Sequence, residues 1–273
     1  MPRPALGATL VIVALCAFTS AAAAQDPGSR IVGGGKANPV GWQFAVALEQ
    51  KRRLICSGSL IAPTKVLTAA HCVKGGKRKQ LSVLAGAPSI SRGRRAPRIK
   101  VTAVALDPKY AGRKDRNDFA VITLANPPAA QPITLPTPQE SAAATRPGMT
   151  LRSAGWGTRS AWGFRIAERL KTAKERIYRA RKCQRVFSKE EFQGRSMICA
   201  LGKLVGRFHS RLRFHSTSCT GDSGGPLVAD TPTGPRLVGA VSAGTFPCGF
   251  GGPSIYARVS NQLGFIQRAL AAP

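Results

Sequence analysis

Ser223 sits at the centre of Gly221-Asp222-Ser223-Gly224-Gly225-Pro226, a turn with one hydroxyl, one carboxylate and little side-chain bulk. A serine hydroxyl is a weak nucleophile until a base takes its proton, so such a site needs a histidine from elsewhere in the chain. The chain has three histidines, and His71 lies in Thr68-Ala69-Ala70-His71-Cys72; the other two, His209 and His215, share one loop. An imidazole acts best as a base when a carboxylate holds its second nitrogen. Asp118 heads the apolar run Phe119-Ala120-Val121-Ile122, which reads as a buried strand, whereas Asp107 and Asp115 lack such a run. The bland readings are a flexible glycine turn for the first string and a strand-capping aspartate for the second. Ser223 and His71 together offer a nucleophile and the base that would activate it.

Groups this far apart in sequence must be gathered by a fold. At 273 residues the chain suits one large domain or two small ones, and 43% hydrophobic content with 29 glycines and 20 prolines fits a globular protein with many turns. Trp42, Phe44, Val46 and Leu48 alternate as on a half-buried strand. Further short strands are expected over 54–61, 81–85, 99–106, 119–124, 236–242 and 255–259. A proline-rich crossing spans 127–138, and no repeat-length unit recurs. Val259, Leu263, Ile266 and Leu270 fall at helical spacing after a cap at Ser260, predicting a terminal amphipathic helix.

Residues 1–24 read as a secretory signal: Arg3, an uncharged run from Ala5 to Phe18, then Ala22-Ala23-Ala24 before cleavage at Gln25. The alternative is an uncleaved anchor, but the run is shorter than the ~20 residues a spanning helix needs. The expectation is an exported, soluble protein. Cys16 lies in that signal, which leaves Cys56, Cys72, Cys183, Cys199, Cys219 and Cys248. An even number in an exported chain implies disulfides, although spacing alone cannot choose the pairing. A zinc site is the weaker alternative, since no two cysteines are close in sequence.

Ile31-Val32-Gly33-Gly34, the Thr-Ala-Ala-His-Cys string and Gly-Asp-Ser-Gly-Gly-Pro, in that order, resemble the chymotrypsin/trypsin-type serine proteases. The resemblance runs from Ile31 to the C-terminus. It implies an all-β fold of two antiparallel six-stranded β-barrels with a C-terminal α-helix: a signal at 1–24, an activation propeptide at 25–30, barrels at 31–130 and 131–258, and a helix at 259–273. It implies a secreted endopeptidase acting on polypeptides, with His71, Asp118 and Ser223 as triad and the backbone N–H groups of Gly221 and Ser223 as oxyanion hole. The glycine at 221 would keep a side chain off the substrate carbonyl. A zymogen would be cut between Arg30 and Ile31, and the freed ammonium would pair with Asp222. Family pairing joins Cys56–Cys72, Cys183–Cys199 and Cys219–Cys248. The pocket would be built from Thr217, Ser218, Ser254 and Ser242-Ala243-Gly244.

Two departures from the family matter. Trypsin-like members carry an aspartate where Thr217 stands, and Ser254 is also uncharged, so cleavage after neutral, mostly apolar residues is expected. Nearly all of the 41 lysines and arginines follow Ile31, which fits an enzyme that spares basic sites and is cut at Arg30 by another protease. Ala243 replaces the usual tryptophan, which should widen the cleft. From Val73 to Leu106 there is no acid to form the calcium loop of other members, so no metal or cofactor is expected.

The formal charge of +29, from 41 Lys+Arg against 12 Asp+Glu, is clustered over 74–79, 92–100, 113–116, 165–185 and 203–213. Each cluster alone reads as a solubilising face. Together they imply attraction to heparin-like glycans, nucleic acid or anionic envelope surfaces, without a motif for specific nucleic-acid reading. Arg207-Phe208-His209-Ser210 recurs as Arg213-Phe214-His215-Ser216 in a segment longer than the family norm. That is either a slipped duplication in a tolerant loop or a basic flap. A catalytically silent, polyanion-binding protein on the same scaffold is the rival reading, and a monomer is expected in either case.

Overall fold

The computed structural model describes residues 31, 34–87, 89–90, 97–110, 112, 117–158, 160–163, 166–208, 212–250 and 252–273. The expected signal and propeptide with Arg30, Val32, Gly33, Arg92, Arg94, Arg95, Arg113, Lys114, Arg116, Arg165 and His209 lie outside them.

A short strand, β1 (Gly35–Lys36), is followed by a 3-10 turn at Val40–Trp42. Trp42 was expected on a strand. Pro39, at φ −57°, starts the chain in helical geometry instead, and the strand begins at Ala45. Six antiparallel strands then close the first barrel: β2 (Ala45–Gln50), β3 (Arg53–Ala62), β4 (Lys65–Thr68), β5 (Leu81–Ala85), β6 (Ile99–Leu106) and β7 (Ala120–Leu124), in the order β2-β3-β4-β7-β6-β5. β2 is buried on both faces, even at Glu49, because Arg98 forks onto that carboxylate at 2.6 and 3.1 Å.

The proline-rich crossing leads to α1 (Pro138–Ala144), whose Thr137 and Glu140 satisfy each other's backbone N–H groups. The second barrel uses β8 (Thr150–Gly155), β9 (Lys171–Ile177), β10 (Met197–Gly202), β13 (Pro226–Thr231), β14 (Gly234–Gly244) and β15 (Ser254–Arg258). Its order is β9-β10-β15-β14-β13-β8, closed by β8–β9 pairing. Between β9 and β10 lies α2 (Ala180–Cys183), and between β10 and β13 a hairpin of β11 (Leu204–Phe208) and β12 (Leu212–His215). β1 pairs outside β9, Gly35 with Thr172 and Lys36 with Lys171, so the first residues join the second barrel's sheet.

One apolar cluster runs from Leu48, Leu60 and Ile122 of the first barrel through Trp156, Val228 and Leu237 of the second. It ends at α3 (Leu263–Ala271), which buries Phe265, Ile266 and Ala269 in it. Lys65 Nζ donates to the Ala272 carbonyl at 2.6 Å, tying down the helix's C-terminal end. Ser260 is not the helix cap: residues Val259–Gln262 form a 3-10 turn, and its hydroxyl meets that of Ser141 at 2.9 Å. No described helix is long and apolar enough to cross a membrane.

Ile266→Ala should lower the unfolding free energy by about 2–5 kcal/mol in urea titration, through lost burial and a cavity. Gln267→Ala, on the exposed face, should change it little.

Candidate active site

The turn Ala70–Cys72 after β4 carries His71, and the Cys56–Cys72 disulfide pins it to β3. Asp118 precedes β7 and is fully buried. His71 Nδ1 lies 2.7 Å from Asp118 Oδ2, and the His71 backbone N–H donates to Oδ1 at 2.9 Å. The Ser242 hydroxyl donates to Oδ2 at 2.7 Å. Three donors thus surround a carboxylate that would otherwise be costly to bury. Asn117 takes a left-handed φ of 52°, and its Oδ1 accepts from Gln262, holding the Asp118 loop to the turn before α3. Asp107 is spent elsewhere, accepting from the Lys109 N–H at 2.8 Å.

Ser223 and His71 line one cleft of about 520 Å³. The first barrel supports the serine turn directly. The Ser57 N–H donates to the Ser223 carbonyl at 2.8 Å, and the Ser57 hydroxyl to the Gly221 carbonyl at 3.0 Å. Gly221 sits at φ +94°, so its backbone conformation requires glycine whatever the substrate does. Gly224, at φ +77°, has no room either: a Cβ would fall 2.2 Å from Thr68 Oγ1.

Asp222 turns inward and accepts from the N–H groups of Gly157 at 2.7 Å and Cys219 at 2.9 Å. Gly155 and Gly157 make room, since a Cβ on either would strike its carboxylate oxygens. Burial pushes its pKa up to about 6, against those two hydrogen bonds. Among the described residues no cation pairs with it, and Ile31 is buried as well.

The pocket side of the cleft is lined by Ser218, Ser242, Ala243 and Gly244. Thr217 and Ser254 are buried beside them, with Ser254 Oγ 2.5 Å from Thr217 Oγ1 and 2.7 Å from Ser218 Oγ. The Cys219–Cys248 bridge closes one wall, and Cys183–Cys199 ties α2 to β10. The repeated segment is a hairpin in which Arg207 pairs with Arg213. Its Phe214 packs on Phe250 and on the Cys219–Cys248 bridge, while His215 Nδ1 meets the Gly202 carbonyl at 3.0 Å. Cys56, His71 and Cys72 cluster closely enough to hold a metal, but both sulfurs are consumed by the disulfide.

Sequence reasoning missed several parts. Ser242 was expected only in the pocket wall, yet it also holds Asp118. The doubled glycine of Gly155-Trp156-Gly157 was a readable sign of close backbone approach. Trp162 and Phe246 stack edge-on, both exposed, with Phe246 at the cleft. Glu175, on an ordinary-looking strand, is fully buried: Ser153 donates to it at 2.6 Å and Tyr256 at 2.5 Å. Burial is the main reason its pKa rises to about 7.

A larger groove of about 960 Å³ lies between β9, α2 and Lys203, and no serine, cysteine or histidine lines it. Lys174, Arg176, Arg179, Arg181, Lys182, Arg185 and Lys203 line it without an acid. None of the seven is in an ion pair among the described residues; Lys182 lies over the Tyr178 ring at 3.9 Å.

The family profile described as Trypsin matches residues 31–266. Human serine protease 56 is 35% identical over 89% of this chain but 39% of its own length, and the mouse protein is similar. The chain therefore spans well under half of these relatives. Mouse kallikrein-11 is 29% identical over 98% of this chain and 92% of its own. The solved structure of mouse neuropsin, a serine protease expressed in the limbic system, superposes with a TM-score of 0.72 at 29% identity, covering 87% of this chain and 98% of that one.

Glu175 has a folded-state pKa above the ordinary glutamate value of 4.5, so folding favours its protonated form. Its contribution is fully present below pH 4.5 and is lost as pH rises through about 7. Relative to Glu175→Gln, the wild type should lose about 3 kcal/mol of unfolding free energy across that window. Parallel urea titrations from pH 4 to 8 would show a constant difference if the group were unperturbed.

Proposed function

The chain belongs to the trypsin family, and from that premise we propose that it is a serine endopeptidase working through Ser223, His71 and Asp118. The observation that carries the reading is a buried Asp118 bonded to His71, whose ring shares a cleft with Ser223. Ser223 Oγ attacks the scissile carbonyl as His71 takes its proton, and His71 then delivers that proton to the leaving amine. Asp118 favours the imidazolium that forms. The N–H groups of Gly221 and Ser223 stabilise the oxyanion, and water releases the acyl group by the reverse steps.

The protein is exported by its 1–24 leader and made as a zymogen cut between Arg30 and Ile31. Asp222, a buried acid with raised pKa and no cation paired with it among the described residues, and Ile31, buried as well, support the pairing of the new ammonium with that carboxylate, and glycines 155 and 157 leave space for it to turn inward. Substrates are polypeptides. The pocket lining has no charge, which favours neutral, mostly apolar side chains, so a protease of different specificity would cut after Arg30.

The basic groove favours a second role that coexists with the first. Seven unpaired cations without an acid, in one concavity, suit a flexible sulfated glycan of the heparin class. The one aromatic face there, Tyr178, is covered by Lys182, which argues against stacking of nucleic-acid bases.

A fluorophosphonate probe should label Ser223 in the protein cut after Arg30 and fail on Ser223→Ala. His71→Ala should lower kcat/KM on a peptide substrate by about 10⁴-fold or more. Unlabelled, correctly cut protein would leave only the binding role. On immobilised heparin, the triple variant Arg179→Glu, Arg181→Glu, Lys182→Glu should elute at clearly lower salt than wild type; equal elution would place the binding on other clusters.

A further inference from the structure

Two basic runs stand apart from the large groove and border the catalytic cleft. His71 hands its proton to the leaving amine, so the part of a substrate after the scissile bond departs on the Nε2 side of that ring. Cys72 Sγ lies 3.7 Å from His71 Nε2, and Cys56, Cys72, Ile55 and Gln50 form the first-barrel wall of the cleft. The departing peptide therefore crosses the Cys56–Cys72 bridge toward Gln50. Next to Gln50 come Lys51, Arg52 and Arg53, all exposed. Left-handed φ values of 49° at Lys51 and 63° at Arg52 make this a tight two-residue hairpin turn, which fixes where the cations stand. The Lys51 N–H donates to the Gln80 carbonyl at 3.0 Å, which sets the hairpin against the 3-10 turn Arg78–Gln80. The Gln50 amide also lies against Gly76, where a Cβ would be 3.8 Å from Nε2. Around Gly76 the exposed Lys74, Lys77 and Lys79 complete the rim, while the Arg78 guanidinium is turned to the Thr102 carbonyl.

No acid answers these cations. From Gln50 to Leu106 the sequence has no aspartate or glutamate, and Glu49 is buried under Arg98. None of the rim lysines and arginines is in an ion pair among the described residues; Lys74 lies 5.1 Å from the centre of the Tyr110 ring. The second-barrel wall of the cleft, by contrast, carries no charge. We infer that this first-barrel rim is a binding site for acidic side chains in the stretch of substrate that follows the scissile bond. The inference rests on the endopeptidase reading above and names its substrate class: polypeptides with acidic residues just downstream of a neutral one. Each exposed pair is worth little, but several cations facing several acids add up, and salt screens them all.

The test uses three peptides with the same neutral residue at the cut. One carries serines on both sides, one has aspartates in place of the serines after the bond, and one has them in place of the serines before it. Protein cut after Arg30 is first titrated with the fluorophosphonate. At about 0.02 M salt, kcat/KM for the downstream-acid peptide should be about tenfold that for the serine peptide, mostly through KM. The ratio should fall toward one at about 0.5 M salt. The upstream-acid peptide should gain little. The variant Lys51→Gln, Arg52→Gln, Arg53→Gln should lower the low-salt ratio to about threefold, and adding Lys74→Gln, Lys77→Gln and Lys79→Gln should bring it to about one. The comparison of peptides on wild type decides even where a variant fails to fold. An equal gain from upstream aspartates would trace the attraction to the overall charge and overturn the inference. No gain from downstream aspartates, or a full gain kept when all of these cations are replaced, would overturn it too, and the endopeptidase would stand in each case. Absence of labelling in correctly cut wild type overturns both.

Discussion

A carboxylate with no exposed surface ties the two barrels to a common centre. Asp118 takes donors from His71 on one barrel and Ser242 on the other, and a buried charge tolerates neither loss nor much misalignment of its partners. The same seam carries Ser57, on the first barrel, bonded to the carbonyls of Gly221 and Ser223 on the second. The relative placement of the barrels and the geometry of the site are therefore one constraint. Packing that shifted the barrels would strand Asp118 before it disturbed either core.

The strings around His71, Asp118 and Ser223 were the most legible part of the sequence, and the structure bonds His71 to Asp118 and sets it in one cleft with Ser223. Ser223, His71 and Asp118 sit in motifs whose neighbours are constrained by turns, a disulfide and a buried strand, so local residue types betray them. The three disulfides likewise join the cysteines that family likeness pairs. What escaped notice was set by tertiary surroundings. β9 reads Lys-Thr-Ala-Lys-Glu-Arg-Ile and looks like a polar surface segment, yet Lys171 and Glu175 point inward and Lys174 and Arg176 outward. Its hydrophobic alternation is hidden because charged residues hold core positions. The C-terminal helix was seen from its apolar spacing, but its start was misplaced, since Ser260 serves α1 and caps nothing.

Burial also sharpens the charge asymmetry. Of 12 acidic residues, Glu49, Asp107, Asp118, Glu175 and Asp222 lie in the interior. Few acids remain outside to neutralise 41 lysines and arginines, so the composition understates how cationic the surface is. Inside the second barrel the Asp222 charge raises the cost of ionising Glu175, on top of burial. A new ammonium delivered to Asp222 would relieve both carboxylates, which couples the serine turn to Glu175 on β9.

β1 gives the chain an order of assembly. During synthesis the six strands of the first barrel emerge complete by residue 124, and a barrel with local pairings can form early. Gly35 and Lys36 must wait, because their partners, Thr172 and Lys171, are made some fifty residues later. The segment beginning at Ile31 thus stays loose on the nascent chain until β9 appears. Its docking marks the moment when the two halves become a single molecule.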